Sequence, residues 1–341
     1  FLPTIGVRLR PYSGYRPNVN PTLGNEFAAV GYRAHSMIHG EFELTGDASE
    51  YTPSDLASLE QMGVGVEQSG SEIEFEVPLN VAFFNPDLVP DLGLDSILAG
   101  LSSEAQYNND EQIDNALRSV LFQVPGPNAP DPAACFEDPS AAGCYQGVVD
   151  LGAIDVQRGR DHGIPSYNRL RRAFGLRPAR TFKEITGEPT DRFPSDPEIG
   201  GNPMYDPDIL DFTALFDAAG SPIPFGSEEA EEDAIVGIRR TTLAARLRAI
   251  YGSPNKVDPF VGMVAEPHVR GTEFGQLQLA MWKQQFEALR DGDRFFYAGD
   301  PALDQIAHRY GITYRHRLSE LIALNTDIPA VALPQNVFLA P

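Results

Sequence analysis

Proline and glycine punctuate this chain throughout, 29 and 31 times in 341 residues, above the usual share yet short of the fraction that marks low-complexity sequence. The pattern predicts many ordered loops. Prolines 3, 11, 17 and 21 exclude a long helix from residues 1–22, which read as an extended leading segment with regular order beginning near Gly24. Between the punctuation, apolar residues recur at helical spacing. Phe27, Val30, Ala34, Met37 and Ile38 predict a helix that starts at Asn25, its candidate N-cap, and carries His35. Further helices are read at 92–101, 110–122, 165–174 and about 227–251. Pro165 near the start and Gly175 past the end bound the 165–174 segment in the favoured order. The clearest helix is 273–290, where Leu279, Trp282, Phe286 and Leu289 form one stripe and Phe274, Leu277 and Met281 widen it. Strand signals are confined to EFELT at 41–45 and EIEFEVPL at 72–79, whose alternating acids suit a hairpin with one wet face. The fold expected is a mainly α single domain with long irregular loops and few short strands.

A 42% hydrophobic content can bury a sizeable core, and no internal repeat is visible. Acidic residues outnumber basic ones by 48 to 26, a formal charge of −22, which phosphate backbones and anionic membranes repel. Nucleic acid is excluded as a partner. No run of 18 apolar residues occurs, so no membrane span is expected. Phe1 is not an initiator Met, and the reading is of a processed product or fragment. The two cysteines, Cys135 and Cys144, suit a small disulfide-closed loop, the other reading being two free thiols in a reducing compartment.

Six histidines, at 35, 39, 162, 268, 308 and 316, stand without HExxH, P-loop, GxGxxG or GxSxG motifs, which removes zincin, nucleotide-binding and α/β-hydrolase chemistry. Two polar segments set in apolar sequence remain, GYRAHSMIHGEF at 31–42 and LGAIDVQRGRDHGIPSYNRLRRAFGL at 151–176. NEFAAVGYRAHSMI (25–38), DLGAIDVQRGRDHGIPSYNRLRRAFGL (150–176), YGSPNKVDPFVGMVAEP (251–267) and QQFEALRDGDRFFY (284–297) resemble, in the same order, four signatures of the animal-type haem peroxidases of the peroxidase–cyclooxygenase superfamily. QRGRDHGIPSYN is the most specific of these, and the blocks tie about 270 residues to the C-terminal, proximal part of that catalytic domain.

The resemblance implies a haem peroxidase-like helical domain that holds haem b, with His35 as the proximal iron ligand and His39 as the runner-up. One imidazole nitrogen would bind iron while the other donates to an acceptor that sets its basicity. That acceptor is expected at Asp155, where the family usually has Asn; a carboxylate pulls harder on the N–H and should lower the reduction potential. The alternative is that Arg158 or Arg160 neutralises Asp155. Arg158 matches the family arginine at the haem edge, and Arg33 is a second candidate for a haem propionate; the other reading is a salt bridge to Asp155 or Asp161, and both roles can coexist. Arg160, Asp161 and His162 are expected to be fold-fixing. Tyr32, three residues before His35, resembles the tyrosine of the fatty-acid dioxygenases and would be their radical site, although a tyrosine at that spacing is more often packing. The family's distal His and Arg, its calcium loop and its ester-forming carboxylates have no match here. The chain is therefore expected to be the proximal part of a peroxidase that reduces hydrogen peroxide and oxidises small donors such as phenols or halides. Its distal part would lie upstream or on another chain, with calcium and any covalent haem link falling there. A haem-free structural or adhesive module is the reading from a different class. The cysteine pair and the family together imply an extracellular, secreted protein.

Overall fold

A computed structural model of the chain describes residues 1–83, 85–125, 145–227, 229–230 and 233–339; Cys135 and Cys144, and with them the disulfide reading, lie outside the described residues. The chain divides into two compact units. The first comprises Phe1–Met37, Tyr107–Gln112 and Ala153–Arg309, and the second Ile38–Gln106, Ile113–Gly152 and Tyr310–Pro341. Among the described residues, no helix is long and apolar enough to cross a membrane.

The second unit is organised on an antiparallel sheet of strands β1 (Glu41–Asp47), β2 (Gly65–Ser69) and β3 (Glu72–Pro78), in the order β1-β3-β2. The predicted hairpin partners pair from Glu41↔Pro78 to Asp47↔Glu72, and β2, which the sequence reading did not find, takes the other edge of β3. Alternation sends Ile73, Phe75 and Val77 inward to a core with Leu44, Leu59, Val64, Leu88 and Leu92, and leaves Glu72, Glu74 and Glu76 in water. Each large buried side chain contributes about 2 kcal/mol. Helix Pro53–Gln61 begins in a capping box, Asp55 N donating to Thr52 Oγ1 and Thr52 N to Asp55 Oδ2. Helix Leu94–Ser103 matches the predicted 92–101 and lies so close to β1 that a Cβ on Gly100 would meet the Glu43 carbonyl at 2.7 Å. Of the predicted 110–122 helix only the π-turn Ala116–Val120 forms; Leu117 and Leu121 pack on Leu79. A two-stranded ladder of β4 (Gln123–Pro125) and β5 (Tyr145–Val148) follows.

The first unit is built around helix Gln276–Gly292, which fully buries Leu277 and Met281 and half-buries Trp282 and Phe286. The leading segment is ordered well before Gly24: Ile5 and Val7 pack on Phe274, and Arg10 pairs with Glu287 at 2.6 Å. Helix Tyr167–Ala173 ends where Gly175 takes φ +74°, a conformation only glycine adopts freely. The helix expected at 227–251 is replaced by strand β8 (Val236–Arg239), paired to β6 (Phe212–Phe216), followed by a helix at Leu243–Tyr251. Thr242 Oγ1 accepts from Ala245 N and so fixes that start. Strand β7 (Pro222–Ile223) completes the sheet on the other edge of β6. The helix expected over 25–38 is broken into a π-turn at Phe27–Gly31 and a 3-10 turn at His35–Met37. The cause is tertiary: Trp282 Nε1 donates to the Gly31 carbonyl at 2.9 Å, the acceptor that a continuing helix would offer to the His35 amide.

Candidate functional site

His35 therefore sits on a short turn held from outside and not on a rigid helix. Its partner comes from helix Leu151–Asp161, whose buried face consists of Asp155 and Gly159. Gly159 allows close approach: a Cβ there would stand 3.3 Å from Val30 and 3.4 Å from Pro259. One turn earlier, Asp155 is completely buried and its Oδ2 lies 2.6 Å from His35 Nδ1. A carboxylate only accepts, so Nδ1 carries the proton and donates, and Nε2 is the nitrogen left with a lone pair. No described residue hydrogen-bonds that Nε2, and the imidazole is partly open to solvent.

The charge on Asp155 is answered by Arg33, whose Nε lies 3.7 Å from Oδ1. Both atoms are buried and neither has a hydrogen-bond partner of its own. Electrostatic attraction without a hydrogen bond thus joins them, in a setting where exclusion of water strengthens it. The Arg33 guanidinium also lies 4.7 Å from the centre of the Tyr32 ring, itself 45% exposed. Of the roles considered for Arg33, the ion pair to Asp155 is present in the structure.

Arg158 is exposed, and among the described residues it makes no ion pair with Asp155. Neither does Arg160, which forks onto Asp258 at 2.9 and 2.6 Å, while Tyr251 donates to the same carboxylate at 2.9 Å. Burial, then the bond to Asp258, pushes the Tyr251 phenol up. His162 Nδ1 meets Asn25 Oδ1 at 2.8 Å, and Asn25 Nδ2 returns a bond to the His162 carbonyl. Asp161 accepts from Gln157 at 2.6 Å. These three residues of the RGRDH run are tied into structural contacts. His39 is engaged by Glu104 at 2.8 Å within the second unit. Sequence reasoning assigned no part to Asn109 or Gln278, which are buried beside the His35 turn. The one available signal was a glutamine inside the apolar stripe Leu277, Met281.

The sequence model of the animal haem peroxidase family matches residues 2–193 and 228–338. The chain is similar to peroxinectin A of Dictyostelium discoideum, with 28% identity over 298 residues, 87% of this chain and 38% of that protein. It is similar to lactoperoxidase of Mesocricetus auratus, with 27% identity over 326 residues, 95% of this chain and 34% of that one. Among solved structures it resembles peroxidase A from D. discoideum, with a TM-score of 0.60 and 25% identity over 98% of this chain and 47% of that one. The chain spans well under half the length of these curated relatives.

Proposed function

Because the chain belongs to the animal haem peroxidase family, we propose that it is the proximal part of a haem-dependent peroxidase, acting on hydrogen peroxide and a small reductant such as a phenol or a halide. The observation that carries this reading is the 2.6 Å contact of His35 Nδ1 with fully buried Asp155. It fits a haem iron: one nitrogen is engaged, the tautomer is set, and Nε2 is left as a donor. When bound, haem b supplies the iron that takes electrons from the small donor and passes them to peroxide. His35 Nε2 would hold that iron. Asp155 orients the ring and keeps the proton on Nδ1, and Arg33 balances the buried carboxylate. Arg158, exposed and positively charged, is assigned to a haem propionate. Tyr32 is read as a packing neighbour of Arg33, and no observation favours a radical at this tyrosine, so the dioxygenase reading is not taken up.

In the same proposal residues 1–341 are one proximal part of a catalytic domain, since the family match runs through stretches of both compact units. The distal histidine and arginine, calcium and any covalent haem link are assigned to polypeptide outside these residues, and the protein to the extracellular space. The test is optical. The intact protein is expected to show a Soret band, and His35→Ala, folded as judged by circular dichroism, to lose it. A fully folded wild-type protein that takes up no haem would overturn the proposal and return the haem-free module.

A further inference from the structure

His35 depends on support from outside its own turn. Its turn has no regular helical frame, yet its Nδ1 reaches Asp155 to 2.6 Å. Behind the turn lies a buried chain of amides. Gln278, with no exposed surface, donates through Nε2 to the carbonyls of Gly31 (3.3 Å) and Arg33 (3.1 Å). Which end of that amide faces the turn is set one step back, because Asn109 Nδ2 donates to Gln278 Oε1 at 2.9 Å. With Oε1 occupied as acceptor, only the NH2 is left for the two carbonyls. Asn109 is held in turn: its Nδ2 also donates to the Glu273 carbonyl at 2.8 Å, and His268 Nε2 donates to the Asn109 carbonyl at 2.8 Å. Ser36, on the far side of His35, makes a long 3.5 Å contact with Asn109 Oδ1. Gly31 permits the approach, since a Cβ there would lie 2.6 Å from the Met281 methyl.

We infer that Gln278, oriented by Asn109 and assisted by Trp282, is a positioning residue for His35. By taking the carbonyls of residues 31 and 33 it stops the helix at Gly31, turns the chain, and sets both His35 and Arg33 against Asp155. The two carbonyls could not face a buried side chain without a donor, because an unpaired buried carbonyl costs ~1–3 kcal/mol. The importance of this latch for catalysis rests on the peroxidase reading; its existence does not.

Gln278→Met keeps the volume and removes the donors. In intact, haem-free protein labelled with 15N-histidine, the hydrogen-bonded Nδ1 proton of His35 is assigned by its disappearance in Asp155→Ala. In folded Gln278→Met that proton is expected to exchange with water at least about tenfold faster, equivalent to ~1.4 kcal/mol. Wild-type protection in the variant would overturn the inference. Should Gln278→Met fail to fold, Trp282→Phe, which deletes only one bond to Gly31, takes its place, with a smaller acceleration expected and unchanged exchange overturning the inference. The readout needs no haem, so a missing Soret band would defeat the function proposal and leave this one standing.

Discussion

The dyad of His35 and Asp155 differs from a histidine–amide pair in one respect, the full negative charge placed 2.6 Å from the ring N–H. A carboxylate draws the proton harder than an amide oxygen and makes the imidazole a stronger donor toward iron, which favours the oxidised metal. Asp155→Asn keeps an acceptor at the same place and weakens the pull. The variant should retain haem and raise the Fe(III)/Fe(II) potential; a tenfold change in relative affinity, ~1.4 kcal/mol, is roughly 60 mV for one electron. Spectroelectrochemical titration measures it, and an unchanged potential in haem-replete protein would mean that Asp155 exerts no pull on the ligand. Both members of this dyad could be named from the sequence, through the family resemblance. The partner of Arg33 could not be decided there, because an arginine two residues from a histidine has several carboxylates within chain reach and only the folded geometry selects among them.

Among the elements, strand β3 was the most legible, since strict alternation of acids with Ile73, Phe75 and Val77 is what a half-buried strand requires. Helix Leu151–Asp161 was the least: it buries an aspartate and a glycine, so it offers no apolar period to find. The break at Gly31 was hidden for another reason, its cause lying some 250 residues away in Gln278 and Trp282. The legible sheet has a cost of its own. Like charges face each other at Glu43↔Glu76 and Glu67↔Glu74, an unfavourable cross-strand arrangement. Partial burial first, then the hydrogen bond to Glu76 and its charge, with Asp114 and Glu43 adding repulsion, push the Glu41 carboxyl from 4.5 up to about 7. An acid that binds its proton more tightly when folded contributes stability that is complete below about pH 4.5 and lost as the pH rises through 7. After allowance for solvent screening of this exposed strand residue the effect is ~1 kcal/mol. Glu41→Gln should slow amide exchange in β1 and β3 above pH 7 and match wild type near pH 4.5. Exchange profiles that stay parallel across that range would remove Glu41 as the cause.

For the whole molecule, the proposal divides labour between these 341 residues and the remainder of a peroxidase. Peroxide activation needs a base to move a proton between the two oxygens and a cation to hold the charge that develops. Within the chain, His39, His162, His268 and His316 are engaged by Glu104, Asn25, the Asn109 carbonyl and the Thr313 carbonyl. Arg33, partly buried, is turned to Asp155. The resemblance assigns the base and the cation to the distal part, and the chain spans only 38% of peroxinectin A. The 341-residue chain supplied with haem is therefore expected to ligate it through His35 and yet to turn over peroxide at least about a thousandfold more slowly than the same chain combined with its distal part, the order of magnitude that a positioned acid–base group contributes. Stopped-flow mixing with peroxide, on material first established by light scattering to be monodisperse, makes the comparison. Turnover within tenfold of the combined protein would mean that these residues already hold a complete site, and that no distal partner is needed for the chemistry.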